Sequence, residues 1–86
     1  MRIEEVLKLV SKGEGQNIEF KKSLSKDISH EVVAMANSGG GWILLGVSDD
    51  GEIIGCDLDI DKLSSYLQQI TPPIKIDLDT VYINEK

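Results

Sequence analysis

The chain has 86 residues, which is enough for one small domain, and its 41% hydrophobic content with only 5% aromatic residues predicts an aliphatic globular core. Its formal charge of −6 argues against a protein that holds nucleic acid by bulk electrostatics, since phosphate neutralisation needs clustered Lys and Arg. The single cysteine, Cys56, excludes an internal disulfide, and the lack of an apolar run long enough to span a bilayer leads us to expect a cytoplasmic protein without membrane contact.

The first thirteen residues predict a helix. Apolar side chains at helical spacing place it over residues 2–12, and Gly13 supplies its C-terminal stop. A short loop then leads to residues 17–22, where Ile18 and Phe20 alternate with polar side chains. This alternation predicts a strand with one polar face.

The middle of the chain predicts a helix followed by a buried strand. Asp27 is a good N-cap for the helix, Gly39–Gly41 end it, and Asn37 is expected to cap its end. Residues Trp42–Val47 are apolar without alternation, which predicts a central strand covered on both faces. We therefore expect Trp42 in the core, with stacking on a nucleic-acid base as the alternative role.

The remaining third predicts a hairpin, a helix and a strand. Asp50-Gly51 is a strong hairpin signal, with Glu52–Cys56 as the returning strand. A third helix is expected to start near Asp59 or Asp61 and to stop before Pro72. Residues 74–79 alternate apolar and polar side chains, which is typical of a half-buried strand.

These elements predict an α+β fold in which about three helices pack against a small mixed sheet in the order α-β-α-β-β-α-β. We expect residues 1–86 to form a single domain at the front of a longer protein. An open edge of its sheet is expected to let the chain form a homo-oligomer.

Residues Ala34–Gly55, together with Glu14 and the Ile18–Lys21 segment, resemble the Schlafen/Alba-like DNA-binding domain, also described as a divergent AAA domain. The resemblance covers most of the chain, and it implies that the sheet lacks a final strand, which would lie beyond the given residues. It implies a nucleic-acid-binding module, the DNA-binding domain of a transcriptional regulator.

The basic residues agree with a phosphate-facing surface in the first third of the chain. Residues 1–26 carry six basic and four acidic side chains, a net charge of +2, and the remainder carries −8. The densest basic part consists of Lys21, Lys22 and Lys26, which we predict as the nucleic-acid-binding residues. A solvated strand end and loop is the alternative interpretation.

Carboxylates suggest a second function. Convergence of Glu14, Glu19 and Asp49 at one end of the sheet would suit Mg²⁺ or Mn²⁺, which activate water for phosphodiester hydrolysis. The resemblance to Schlafen proteins implies these three as catalytic and metal-binding residues of a nuclease acting on structured RNA, with Asp50 as a substitute for Asp49. The alternative interpretation is that Glu19 pairs with a lysine such as Lys21. Asp49 and Asp50 would then only accept backbone hydrogen bonds in the hairpin turn.

Three functions therefore stay open. The first is a nucleic-acid-binding module, which needs no cofactor. The second is a nuclease that uses Mg or Mn. The third is an interaction scaffold that recruits another chain through its open strand edge.

Overall fold

The computed structural model describes residues 1–82. Its elements, in chain order, are α1 (Ile3–Lys12), β1 (Ile18–Lys21), α2 (Ile28–Asn37), β2 (Trp42–Leu45) and α3 (Ile60–Leu67). The predicted α+β class and the three predicted helices are confirmed. None of the helices in the described part of the chain is long and apolar enough to cross a membrane.

Two of the predicted capping residues, Gly13 after α1 and Asp59 before α3, have the expected backbone contacts, whereas among the described residues the side chain of Asp27 makes no capping hydrogen bond to α2. Gly13 follows α1 with a φ of 78°, a conformation that glycine adopts at little cost, and its N–H donates to Val10 O at 3.0 Å. Asp59 precedes α3, and its Oδ1 accepts a hydrogen bond from Lys62 N at 3.1 Å. The spacing of apolar residues and these local caps are therefore enough to define the two helices.

β1 and β2 form a two-stranded parallel sheet in a register that runs from Ile18 opposite Trp42 to Lys21 opposite Leu45. α2 connects the two strands, so the three elements form a βαβ unit. α2 lies across the face of β1 that carries Lys21, because Lys21 forms an ion pair with Glu31 of α2. The buried hydrophobic residues are Leu9, Phe20, Ile28, Val47 and Leu63.

The turn between α2 and β2 is held by Asn17, which lies just before β1. Its side-chain amide donates to Ser38 O at 3.3 Å and to Gly40 O at 2.6 Å. Its backbone carbonyl accepts the N–H of Trp42 at 2.8 Å. Asn17, rather than the predicted Asn37, therefore satisfies carbonyl groups beyond the end of α2 and fixes where β2 begins.

The hairpin turn is present, but the predicted returning strand Glu52–Cys56 is not a strand. Ser48 N donates to Glu52 O at 2.9 Å, and one isolated antiparallel bridge joins Val47 to Ile53. The ladder stops there, because the N–H groups of Ile54 and Gly55 both donate to Gly46 O at 2.8 Å. Gly46 and Gly55 have φ values of 92° and 76°, which bend both segments away from an extended pairing.

Within residues 1–82, the sheet is therefore purely parallel rather than mixed, and the strand predicted over 74–79 is also missing. The alternation of apolar side chains is present there, but no neighbouring strand supplies ladder hydrogen bonds. Leu78 consequently keeps 53% of its surface exposed. A period of two predicts which face a strand would bury, but it does not supply a partner.

The prediction that Trp42–Val47 is covered on both faces is wrong for most of the segment. Gly46 and Val47 are buried, whereas residues 43–45 are only half-buried and Trp42 is 47% exposed. The reason is the small sheet, because β2 pairs only with β1 in the described part of the chain and keeps a free outer edge. The core placement of Trp42 is wrong for the same reason.

Candidate nucleic-acid interface

Three of the predicted site residues, Lys21, Lys22 and Asp49, lie together at the carboxyl ends of the two parallel strands. Here the chain leaves β1 through residues 22–26, which we call the basic loop, and leaves β2 toward Asp49. A shallow depression of about 270 Å³ lies between the two exits. It is lined by Phe20, Lys21, Lys22, Ser23, Ser25 and Asp49.

Lys21 does not present a free charge to this depression. Its Nζ lies 2.8 Å from Glu31 Oε2, and the two side chains are only 23% and 26% exposed. The hydrogen bond that Lys21 donates to Glu31 raises the pKa of Lys21; burial opposes this effect, and the charges of Glu31, Glu19 and Asp27 reinforce it. Lys21 therefore stays protonated, and its charge is largely committed to α2.

Lys22 and Lys26 are in a different situation, since both are exposed. Neither forms an ion pair with any residue in the range 1–82. The loop that carries them is anchored at its far end, where Ile28 N donates to Ser25 O at 3.1 Å and Ser29 Oγ donates to Lys26 O at 3.2 Å. The basic loop thus offers two uncommitted cations on a fixed backbone.

Glu14 supports the backbone of β1. Its Oε2 accepts a hydrogen bond from Phe20 N at 2.9 Å, and the N–H of its neighbour Gly15 donates to Ile18 O at 2.9 Å. These two bonds close the loop onto the first residues of the strand. One oxygen of the predicted metal ligand is therefore already used by the main chain.

The charges of several carboxylates act on Glu19. Burial raises its pKa most, the charges of Glu14 and Glu31 raise it further, Lys21 lowers it and Asp49 raises it. The three predicted carboxylates thus influence one another, as expected from strands that lie side by side. Carboxylates can influence one another's pKa at distances too long for them to bind the same ion.

The carboxylates do not form a ligand set as they stand. In the part of the chain that the structure describes, no three His, Cys, Asp or Glu side chains are placed to hold one metal ion. Mg²⁺ and Mn²⁺ need several oxygens at about 2.0–2.2 Å from the ion, so the present geometry does not fit such a group. The assignment of Glu14, Glu19 and Asp49 as metal-binding and catalytic residues stays a prediction.

Three polar residues of this edge were missed by reasoning from sequence. Glu31 is the partner of Lys21, and Ser23 and Ser25 line the depression. The available signal was the strand-helix-strand order, because a crossover helix begins beside the carboxyl end of the strand that precedes it. With that order recognised, the loop serines and the first turn of α2 become expected neighbours of Lys21.

The raised pKa of Glu19 makes a prediction about stability. The folded protein binds this proton more tightly than the unfolded chain does, so the favourable contribution is complete below the unfolded pKa, about 4.3, and is lost as the pH rises through the folded pKa. Glu19→Gln is therefore expected to raise the Tm at pH 7, with the difference shrinking toward pH 4. Thermal melts from about pH 4 to pH 8 measure it.

Glu52→Gln is the matched control for that comparison, since Glu52 is an exposed carboxyl in the hairpin turn. We expect it to leave the Tm nearly unchanged. A lower Tm for Glu19→Gln at pH 7 would show that ionised Glu19 stabilises the fold, contrary to this account.

A known protein family matches this chain. The family described as Schlafen, AlbA_2 matches residues 14–86, a span that starts at Glu14 and contains β1, the basic loop, α2 and β2. No curated protein and no solved structure shows a significant match to the chain. The family points to a nucleic-acid-related domain. Because the match covers most of the sequence, the chain belongs to the Schlafen AlbA_2 family.

Proposed function

We propose that this domain binds nucleic acid, with the basic loop contacting backbone phosphates at the carboxyl edge of the parallel sheet. One observation carries the proposal. Lys22 and Lys26 are exposed and have no ion pair within residues 1–82, and Lys22 lines a depression with the hydroxyl-bearing residues Ser23 and Ser25. Lysine ammonium groups and serine hydroxyls are ordinary phosphate contacts.

The position of the loop supports this assignment. Ligands of parallel α/β sheets bind outside the carboxyl ends of the strands, and the basic loop runs from such an end to the start of α2. The N-terminus of a helix favours anions because its first N–H groups have no partner inside the helix. Within residues 1–82, the side chain of the N-cap residue Asp27 accepts no hydrogen bond from α2.

The charges limit the strength and the type of binding. The domain carries a net charge of −6, Lys21 is paired, and Asp27 and Asp49 flank the loop. Two free lysines can neutralise about two phosphates, which predicts weak binding in the range of about 10⁻⁴ to 10⁻⁶ M without strong sequence preference. DNA binding within a transcriptional regulator is the specific form of this function that we propose.

A salt series on the unmodified domain tests the proposal. We expect log Kobs to fall linearly with log salt concentration, with a slope of about −1.8 for duplex DNA and about −1.4 for single-stranded RNA, as two phosphate contacts require. Fluorescence anisotropy with labelled oligonucleotides measures both slopes. Affinity that does not change with salt would contradict phosphate contacts by the basic loop.

The two other functions stay predictions. The nuclease needs a ligand set that the carboxylates of this edge do not form in the described residues. The homo-oligomeric scaffold would use the outer edge of β2, which has no partner strand within residues 1–82 and borders an apolar groove of about 580 Å³. Sedimentation of the binding samples and gel analysis of the recovered oligonucleotides, with and without Mn²⁺, test these functions on the same material.

A further inference from the structure

The ammonium of Lys21 is paired with one carboxylate, and the charges of two others, from separate segments of the chain, act on it. Glu31 of α2 accepts its hydrogen bond at 2.8 Å, and the charges of Glu19 on β1 and of Asp27 before α2 also act on it. Both members of the pair are about three-quarters shielded from solvent. An ion pair in such a position is screened less than one on an open surface.

Two carboxylate oxygens of this edge already have hydrogen-bond partners, and a third is buried. Glu31 Oε2 binds Lys21, Glu31 Oε1 is buried without a hydrogen-bond partner in residues 1–82, and Glu14 Oε2 accepts the Phe20 N–H. No group of three acidic side chains within that range is arranged around a common point. The positive charge that this acidic edge requires therefore comes from the chain itself.

We propose that Lys21 is a built-in cation that takes the place of a divalent metal ion at this edge, so that the domain holds β1 against α2 and presents the basic loop without any metal. The ammonium joins β1 to α2 through Glu31 and lies close enough to Glu19 to offset part of its charge. This inference goes beyond the proposed function, because it concerns metal binding and folding and requires no nucleic acid.

Removal of the ammonium creates the condition under which a divalent ion would be attracted. The Lys21→Met variant keeps the aliphatic length of the side chain but leaves Glu19 and Glu31 without their nearest positive charge. The variant should therefore bind Mn²⁺ more tightly than the unmodified domain, and Mn²⁺ should recover part of the thermal stability that the substitution costs. The unmodified domain should melt at the same temperature in EDTA and in Mn²⁺.

Electron paramagnetic resonance titration of free Mn²⁺ is the decisive experiment, with the unmodified domain, Lys21→Met and the matched control Lys22→Met. We expect no saturable site in the unmodified domain or in Lys22→Met at millimolar Mn²⁺, and at least about tenfold tighter binding by Lys21→Met. A saturable site of one ion in the unmodified domain would overturn the proposal. Equal affinity of Lys21→Met and the unmodified domain would overturn it as well.

Lys21→Arg keeps the experiment decisive if Lys21→Met does not fold, because it retains the charge and the ion pair. Absence of a saturable Mn²⁺ site in both Lys21→Arg and the unmodified domain, with melting temperatures that EDTA does not change, supports a built-in cation. A saturable site in either protein contradicts it.

Discussion

Reversing both free charges of the basic loop, in the Lys22→Glu/Lys26→Glu double variant, is expected to weaken nucleic-acid binding by about a hundredfold or more at about 50 mM salt. Each phosphate contact releases condensed counterions, which is worth about tenfold in affinity at this ionic strength. Reversal also adds repulsion between the new carboxylates and the phosphates. Fluorescence anisotropy with one duplex and one single-stranded oligonucleotide measures the loss.

The matched control is Lys62→Glu/Lys75→Glu, which changes the net charge by the same amount at two exposed lysines outside the depression. We expect this control to bind almost as well as the unmodified domain, because distant exposed charges are screened. An equal loss in both double variants would mean that net charge alone governs binding, and the basic loop would then have no special role.

Gly41→Ala is expected to destabilise the fold by about 3 kcal/mol, which for a domain of this size lowers the Tm by on the order of 15 °C. A Cβ on Gly41 would lie 2.2 Å from Asn17 O and 2.6 Å from Met35 Sδ. The methionine end can move, but the Asn17 carbonyl is backbone and accepts the Trp42 N–H. Relief of the clash therefore disturbs the bond that fixes the start of β2.

Gly15→Ala is the control for this substitution, because a Cβ on Gly15 meets no atom within 4 Å. Its Tm is expected to stay within a few degrees of that of the unmodified domain. Thermal melts followed by circular dichroism compare the two variants. An unchanged Tm for Gly41→Ala would show that the Asn17 turn is not a fixed part of the fold.

The helices could be predicted from the sequence because their signals are local. The apolar spacing of α1 with Gly13 after it, and the Asp59 cap of α3, act within a few residues and are the same in any fold. Predictions that rest on short-range geometry were therefore the ones that held.

Two predicted strands, over residues 52–56 and 74–79, did not form, because the pattern of apolar and polar residues does not say whether a partner strand is present. Glu52–Cys56 has the composition of a strand, but Gly46 and Gly55 take positive φ values that end the pairing after one bridge. Residues 74–79 alternate correctly, yet alternation does not specify a partner. Which strand lies beside which is a long-range property, and single residues do not encode it.

The candidate site divides in the same way. The sequence places Lys21, Lys22 and Asp49 at the ends of two predicted strands, and in the structure these three residues line one depression. The partner of each side chain could not be predicted, since Lys21 pairs with Glu31 ten residues away and Glu14 binds a backbone N–H. Those pairings depend on how α2 crosses the sheet and how the loop before β1 closes.

Mapping of the contact surface by nuclear magnetic resonance tests the central claim, that the basic loop is the place where nucleic acid binds. The ¹⁵N-labelled domain is titrated with single-stranded RNA or duplex DNA in the presence of EDTA. We predict that the amide shifts concentrate on residues 21–27 and 48–50 and disappear in Lys22→Glu/Lys26→Glu. Shifts confined to the apolar edge of β2, or no shifts with either nucleic acid, would contradict the account.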